Sequence, residues 1–165
     1  MYVPDNGDLS PAYAPFTGTM PPVTDRGFRS GGFAVPKDLT RGDYRASFAK
    51  MKELVTALNR AKVPIVAGTD GSGLELIREL ELYVQVGMTP VEALRAATLY
   101  PARLVNAGRF HRLDCGREEA DMVLVEGNPS QRVGDLRRTV WVMSEGRLTN
   151  ADELRTASGF SGRPH

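Results

Sequence analysis

One acidic residue, Asp70, stands where a side chain could do chemistry. It follows the short apolar run Val63–Ala67 and the pair Gly68-Thr69, and side chains at the carboxyl ends of parallel strands point into the sites of α/β sheets and barrels. A carboxylate there could bind a divalent metal ion or take a proton from water. The alternative is an Asp that bonds its own turn and caps the next helix. On the Gly-Thr-Asp pattern alone, that alternative is favoured.

Three glycines surround this aspartate, at positions 68, 71 and 73. Their spacing matches neither the GxGxxG pattern nor the GK[ST] loop that cradles phosphate. We interpret them as turn formers that leave space beside Asp70. Thr69 and Gly71 are therefore predicted to shape the surroundings of Asp70 and to contact a substrate.

The histidines and the cysteine give weaker signals. His111 follows an aromatic residue in what reads as a turn, and His165 ends the chain, so neither is predicted to be a ligand. Cys115 lies between Asp114 and Gly116 with no helix N-terminus predicted beside it, which argues against a nucleophile. A single cysteine also forms neither an internal disulfide nor a CxxC-type zinc site.

Composition narrows the class of protein. The 21 Lys and Arg against 20 Asp and Glu leave a net charge of +1, which gives no basic footprint for nucleic acid or for an anionic membrane. Neither a signal peptide nor a membrane-length apolar run is present in the sequence, so we predict a cytoplasmic chain. Its 165 residues suit one domain and fall short of the roughly 250 of a complete (β/α)₈ barrel.

The sequence pattern predicts helices on both sides of the apolar run, which itself reads as a buried parallel strand. One amphipathic helix starts at Asp43, and a second starts near Leu74 and stops at Gly87. A third starts at Thr89, which can cap a helix whose first residue is Pro90. The period then changes to that of β-strands at Met122–Val125 and Val140–Met143.

Several of these blocks, in this order, resemble the C-terminal part of a metal-dependent amidohydrolase. Together they cover about residues 44 to 148, and the resemblance is strongest to the imidazolonepropionase and Xaa-Pro dipeptidase-like branch. The blocks are Val63–Asp70, Arg78–Pro90, Glu92–Thr98, Ala120–Pro129 and Val140–Arg147.

The resemblance implies an α/β fold: the terminal part of a (β/α)₈ barrel plus strands of a small composite β-sandwich. Residues 1–42 are rich in Pro and Gly and show no periodicity, so we interpret them as an irregular, lid-like segment. By the resemblance, residues 43–107 hold the last barrel strand with its flanking helices. Residues 108–150 form the β-sandwich segment. Residues 151–165 are a flexible tail.

The resemblance also implies a hydrolase of C–N bonds in non-peptide or small-peptide substrates. Asp70 is then a metal ligand and the base that activates the hydrolytic water, with Zn²⁺ or a similar divalent ion in an intact parent protein. Because of this resemblance, we favour a metal-site role for Asp70 over the turn and helix-cap role.

The sequence departs from the family at the other metal ligands. The first-strand His-x-His pair, the bridging Lys or Glu and the two mid-barrel histidines have no counterpart, and Ile77 stands where many relatives carry a His. The chain alone is therefore predicted to bind no metal and to be inactive. Two alternatives stay open: a non-catalytic binding or scaffolding fragment, or a subunit whose N-terminal partner supplies the histidines. Self-association or binding of that partner is expected.

Overall fold

The computed structural model describes residues 9–30, 36–105 and 121–164. Helices dominate the first two ranges, and a small sheet forms in the third. The α-helices are α1 (Pro22–Ser30), α2 (Arg41–Arg60), α3 (Gly73–Gln85), α4 (Pro90–Ala97), α5 (Leu99–Leu104) and α6 (Ala151–Ala157); the strands are β1 (Met122–Val125), β2 (Thr139–Ser144) and β3 (Arg147–Asn150); 3₁₀-helices span Pro11–Phe16 and Val133–Arg138.

The helices begin where the sequence supplies caps. Thr89 accepts a hydrogen bond from the Glu92 amide, while the Glu92 carboxylate accepts one from the Thr89 amide at 2.7 Å. The same reciprocal arrangement starts α2 at Thr40 with Asp43. Each capping box satisfies amides that the first helical turn leaves without an intrahelical partner. The predicted start of the third helix at Thr89 is thus confirmed.

The three strands form one antiparallel sheet in the order β1-β2-β3. A two-residue turn joins β2 to β3, and both of its residues have positive φ, 49° at Glu145 and 73° at Gly146. Such a turn matches the right-handed twist of the strands that it connects. The predicted β-stretches are confirmed, whereas the second layer of a sandwich stays a prediction.

The core lies between α3, α4 and the 3₁₀-helix Val133–Arg138. Leu80 of α3 is 1% exposed and Ala93 of α4 is fully buried. The remaining buried members of this cluster are Tyr83, Met88, Ala96 and Val133. The core therefore fixes α3, the helix that follows the predicted site.

The segment Val63–Ala67, predicted to be a buried parallel strand, forms no strand in the described chain. These residues run between α2 and α3 without pairing in any sheet of the described chain. A strand needs a neighbouring strand for its ladder of hydrogen bonds, and none lies beside this segment within the described ranges. Helices hold it instead: Ile65 and Ala67 pack on the core cluster, and the Ala67 amide donates to the Ala96 carbonyl at 2.8 Å.

Both ends of the chain contain more helix than predicted. The segment 1–42 is not irregular in its described part, because Ser10 caps the 3₁₀-helix Pro11–Phe16 and α1 follows it. The segment 151–165 is not simply a flexible tail, because Asn150 caps α6 through the Asp152 amide. Residues 1–8, 31–35 and 165 lie outside the described part.

The two ends also contact each other. The Ser161 amide donates to the Thr19 carbonyl at 2.9 Å, and the Ser161 hydroxyl donates to the Gly18 carbonyl. Phe16 is 3% exposed, and the Arg137 guanidinium lies over its ring at 5.8 Å. Phe16, an aromatic residue of the N-terminal segment, thus packs against the C-terminal part of this chain.

Helix α2 is exposed on its apolar side. It contains no buried residue along its 20 positions, and Met51 and Leu54 are 52% and 60% exposed. The apolar face of α3, by contrast, is covered within the chain, since Leu80 and Tyr83 are buried. Of these two helices, only α2 has exposed large apolar side chains.

We expect the chain to self-associate through α2, because clustered exposed apolar side chains drive association. Sedimentation velocity should show an average mass that rises with concentration, and Leu54→Glu should reduce the rise. Ala49→Glu, on another side of the same helix, is the matched control. A monomer at every concentration would contradict the prediction.

Candidate functional site

Asp70 lies in the short connection between the segment Val63–Ala67 and α3. It is exposed, and its φ of 53° places it in the left-handed region, which Asp and Asn tolerate better than other non-glycine residues. Its carboxylate makes no hydrogen bond or ion pair within the described ranges. Within the described ranges, the Asp70 carboxylate therefore does not stabilise the loop that carries it.

The helix-capping alternative for Asp70 is not what the structure shows. Helix α3 begins after Ser72, whose amide donates to the Glu75 carboxylate at 2.6 Å. Ser72 and Glu75 thus form the capping box of α3, two residues beyond Asp70. The aspartate is left available for another task.

Thr69 and Gly71 flank Asp70, as the sequence requires, and they contact each other across it. The Gly71 amide donates to the Thr69 hydroxyl oxygen at 3.3 Å. A Cβ at Gly71 would clash with a carboxylate oxygen of Glu75, so glycine permits that close approach. Both residues shape the loop around Asp70, and their contact with substrate stays a prediction.

A second carboxylate, Glu79, anchors the other side of the loop, and sequence reasoning missed it. Its Oε2 accepts from the Gly68 amide at 3.0 Å and its Oε1 accepts from the Tyr83 hydroxyl at 2.6 Å. Tyr83 also reaches the Val66 carbonyl at 3.4 Å. The spacing of four between Glu79 and Tyr83 could have indicated their contact, but not their link to Gly68.

The electrostatics of this anchor favour a neutral phenol. Burial raises the pKa of Tyr83 well above its ordinary value, and the hydrogen bond to Glu79 and the charge of Glu79 raise it further. Tyr83 is 8% exposed. It therefore remains a hydrogen-bond donor to Glu79 throughout the physiological range.

The described residues do not fit a complete catalytic metal centre. No group of three or more His, Cys, Asp or Glu side chains with metal-binding geometry occurs within residues 9–30, 36–105 and 121–164. Catalytic zinc commonly takes three protein ligands, and Asp70 is one candidate. His111, Cys115 and His165, for which no ligand or nucleophile role was predicted, lie outside the described residues.

Comparison with known proteins identifies the class. A family model described as the amidohydrolase family matches residues 46–151, a range that includes Asp70, α3, α4 and the sheet. The chain belongs to the amidohydrolase family.

A solved structure supports the same class. A crystal structure of an amidohydrolase is similar with a TM-score of 0.52 and 25% sequence identity. The match covers 60% of this chain and 25% of that one, so this chain spans less than half the length of that amidohydrolase. No curated protein matches. Within the described residues, no helix is both long and apolar enough to cross a membrane.

Proposed function

We propose that this chain is the C-terminal part of a metal-dependent hydrolase that cleaves C–N bonds in cyclic amides, lactams or small peptides. Its nearest chemistry is that of the imidazolonepropionase and Xaa-Pro dipeptidase-like branch. The observation that carries the proposal is Asp70, an exposed carboxylate without a partner in the described chain, inside the range that matches the amidohydrolase family.

The role proposed for Asp70 is that of general base. A water molecule attacks the carbonyl carbon of the substrate, and the Asp70 carboxylate takes the proton that this water loses. The proton is then available for the leaving nitrogen. Transfer of this kind by a positioned carboxylate typically contributes about 10²- to 10⁴-fold in rate.

The rest of the site belongs to sequence beyond this chain's described residues. Zn²⁺ or a similar divalent ion would polarise the carbonyl in the completed protein, with histidines from an N-terminal part of the enzyme as the other ligands. Among the described residues, Asp70 is the one candidate ligand for that ion. The single cysteine of the chain accords with a reducing, cytoplasmic location.

The partner proposed for this chain is that N-terminal part. The segment Val63–Ala67 forms no strand in the described ranges, and no strand lies beside it there; Val63 is 45% exposed. A strand needs a neighbouring strand for its ladder of hydrogen bonds, which another chain would supply. A complementing chain could therefore pair with this segment and bring its own ligands towards Asp70.

The test is reconstitution. A His-x-His motif is sought upstream in frame or in an adjacent gene, and the segment that carries it is co-expressed with this chain. Elemental analysis after dialysis should find no stoichiometric zinc on the isolated chain and about one ion or more per complex. The complex should hydrolyse members of a panel of lactams, cyclic amides and dipeptides.

The outcomes separate the alternatives. A complex that binds neither metal nor substrate would favour a non-catalytic scaffolding role. About one tightly held zinc on the isolated chain would mean that its own residues complete a site, which contradicts the need for a partner.

A further inference from the structure

Two carboxylates from one face of α3 hold the loop on either side of Asp70. Glu79 accepts from the amide of Gly68, two residues before Asp70, and Glu75 accepts from the amide of Ser72, two residues after it. The two glutamates are four positions apart, a spacing that places both on the same side of a helix. The backbone that carries Asp70 is thus fixed at both ends by the same helix.

The two anchors differ in kind. The contact of Glu75 with Ser72 is a local capping box of the sort that starts many helices. The contact of Glu79 with Gly68 joins residues eleven positions apart, and the Tyr83 hydroxyl holds the carboxylate from the other side. Because Tyr83 is buried in the core cluster, it ties the loop to the hydrophobic core.

We propose that Glu79 is a positioning residue for Asp70, with Tyr83 orienting it; this inference rests on the proposed function. Asp70 has a left-handed backbone and no side-chain bond within the described ranges. The placement of its carboxylate is therefore set by the flanking backbone. A displacement of about 1 Å at a reacting group can reduce a rate by about 10²-fold. A fixed loop would therefore keep the Asp70 carboxylate in the position that proton transfer requires.

The charge on Glu79 strengthens this role. Hydrogen bonds from an amide or phenol to a carboxylate are shorter and stronger than those to a neutral acceptor. One carboxylate also offers two oxygens, so it can accept from Gly68 and from Tyr83 together. An amide side chain at this position would have one oxygen for both donors.

The experiment uses the full 165-residue chain and NMR, without metal or substrate. Glu79→Ala should speed hydrogen exchange of the Gly68 amide about tenfold or more relative to that of Ser72, since a charge-assisted hydrogen bond is lost. Glu75→Ala should instead speed hydrogen exchange of the Ser72 amide relative to that of Gly68. In the wild type Asp70 should give the strong intraresidue amide-to-Hα cross-peak of a left-handed residue, and Glu79→Ala should weaken it.

Conservative variants keep the test sharp where Glu79→Ala fails to fold. Glu79→Gln should give an intermediate exchange rate at Gly68, because a neutral oxygen still accepts. Tyr83→Phe, which keeps the ring in the core, should raise exchange at Gly68 with little change at Ser72. A purely structural role would raise exchange at both amides alike and leave the Asp70 cross-peak of the folded protein unchanged, and that result would overturn the proposal.

This readout separates the inference from the proposed function. It reports the geometry of the loop and needs neither metal nor turnover. An unchanged Gly68 in folded Glu79 variants would remove Glu79 as a positioning residue and leave the role of Asp70 intact. The role of Asp70 itself is decided by its own substitution.

Discussion

Asp70→Asn is expected to lower kcat of the reconstituted enzyme by about 10²- to 10⁴-fold. An amide cannot accept the proton of the attacking water, and a weaker metal bond would add to the loss. The thermal midpoint should change little, because the Asp70 side chain is exposed and makes no hydrogen bond within the described ranges. Asn also tolerates the left-handed backbone at this position, so the loop should keep its shape.

Both kcat and the thermal midpoint (Tm) are measured on the same preparation of Asp70→Asn. Asp38→Asn is a suitable control, since Asp38 is also exposed and lies outside the range that matches the family. It should leave both quantities unchanged. Near-normal turnover of Asp70→Asn would remove this residue from the mechanism, while a large fall in Tm with normal kcat would assign it a structural role.

Much of the helical part of the fold could be predicted from sequence because its signals are local. The cap at Thr89, the proline after it and the acidic residue three positions on lie within one turn. The apolar spacing of α2 and α3 is likewise contained within each helix. The hairpin between β2 and β3 follows from Glu145-Gly146, since glycine is favoured where φ is positive.

The errors came from features that depend on distant residues. Val63–Ala67 has the composition of a buried strand, but strand pairing needs a neighbour that no local pattern supplies. Helix α6 was missed because its stability depends partly on tertiary contacts: the Arg155 side chain donates to the Thr139 carbonyl at 2.7 Å. The anchor from Glu79 to Gly68 is invisible in the sequence for the same reason.

The features of the candidate site also divide into those with a local sequence signal and those that depend on distant residues. Asp70 could be found from sequence because it directly follows an apolar run and a Gly-Thr pair. Its left-handed backbone and the anchor from Glu79 to Gly68 could not, because the anchor joins residues eleven positions apart. Sequence therefore predicts the candidate residue, and the structure shows which side chains hold the loop that carries it.

A second large effect is expected at the ion pair between Glu81 of α3 and Arg137. The Arg137 side chain is 8% exposed and that of Glu81 is 24% exposed, and the pair joins α3 to the 3₁₀-helix Val133–Arg138. Glu81→Ala should lower the free energy of unfolding by about 2–4 kcal/mol, because it leaves a buried cation without its partner. Equilibrium urea unfolding measures the loss.

The contribution of the Glu81 carboxylate to the free energy of unfolding depends on pH through the pKa of Glu81. Burial alone would raise it, but the hydrogen bonds and charges of Arg137 and Arg78 outweigh burial and hold the pKa below its usual range. A carboxyl whose pKa is depressed by folding stabilises the protein above its unfolded pKa of about 4.3, and loses that effect as pH falls through the folded value. The difference between wild type and Glu81→Gln should therefore be full at pH 7 and shrink towards zero below about pH 4.

The double variant Glu81→Leu with Arg137→Met distinguishes a buried charge from a simple loss of packing. Apolar residues of similar size can replace a buried ion pair at little cost, so the double variant should recover most of the stability that Glu81→Ala loses. It should also lack the pH dependence attributed to Glu81. Losses that add across the two sites at every pH would show that packing, rather than the charge left on Arg137, stabilises the contact between α3 and the C-terminal half.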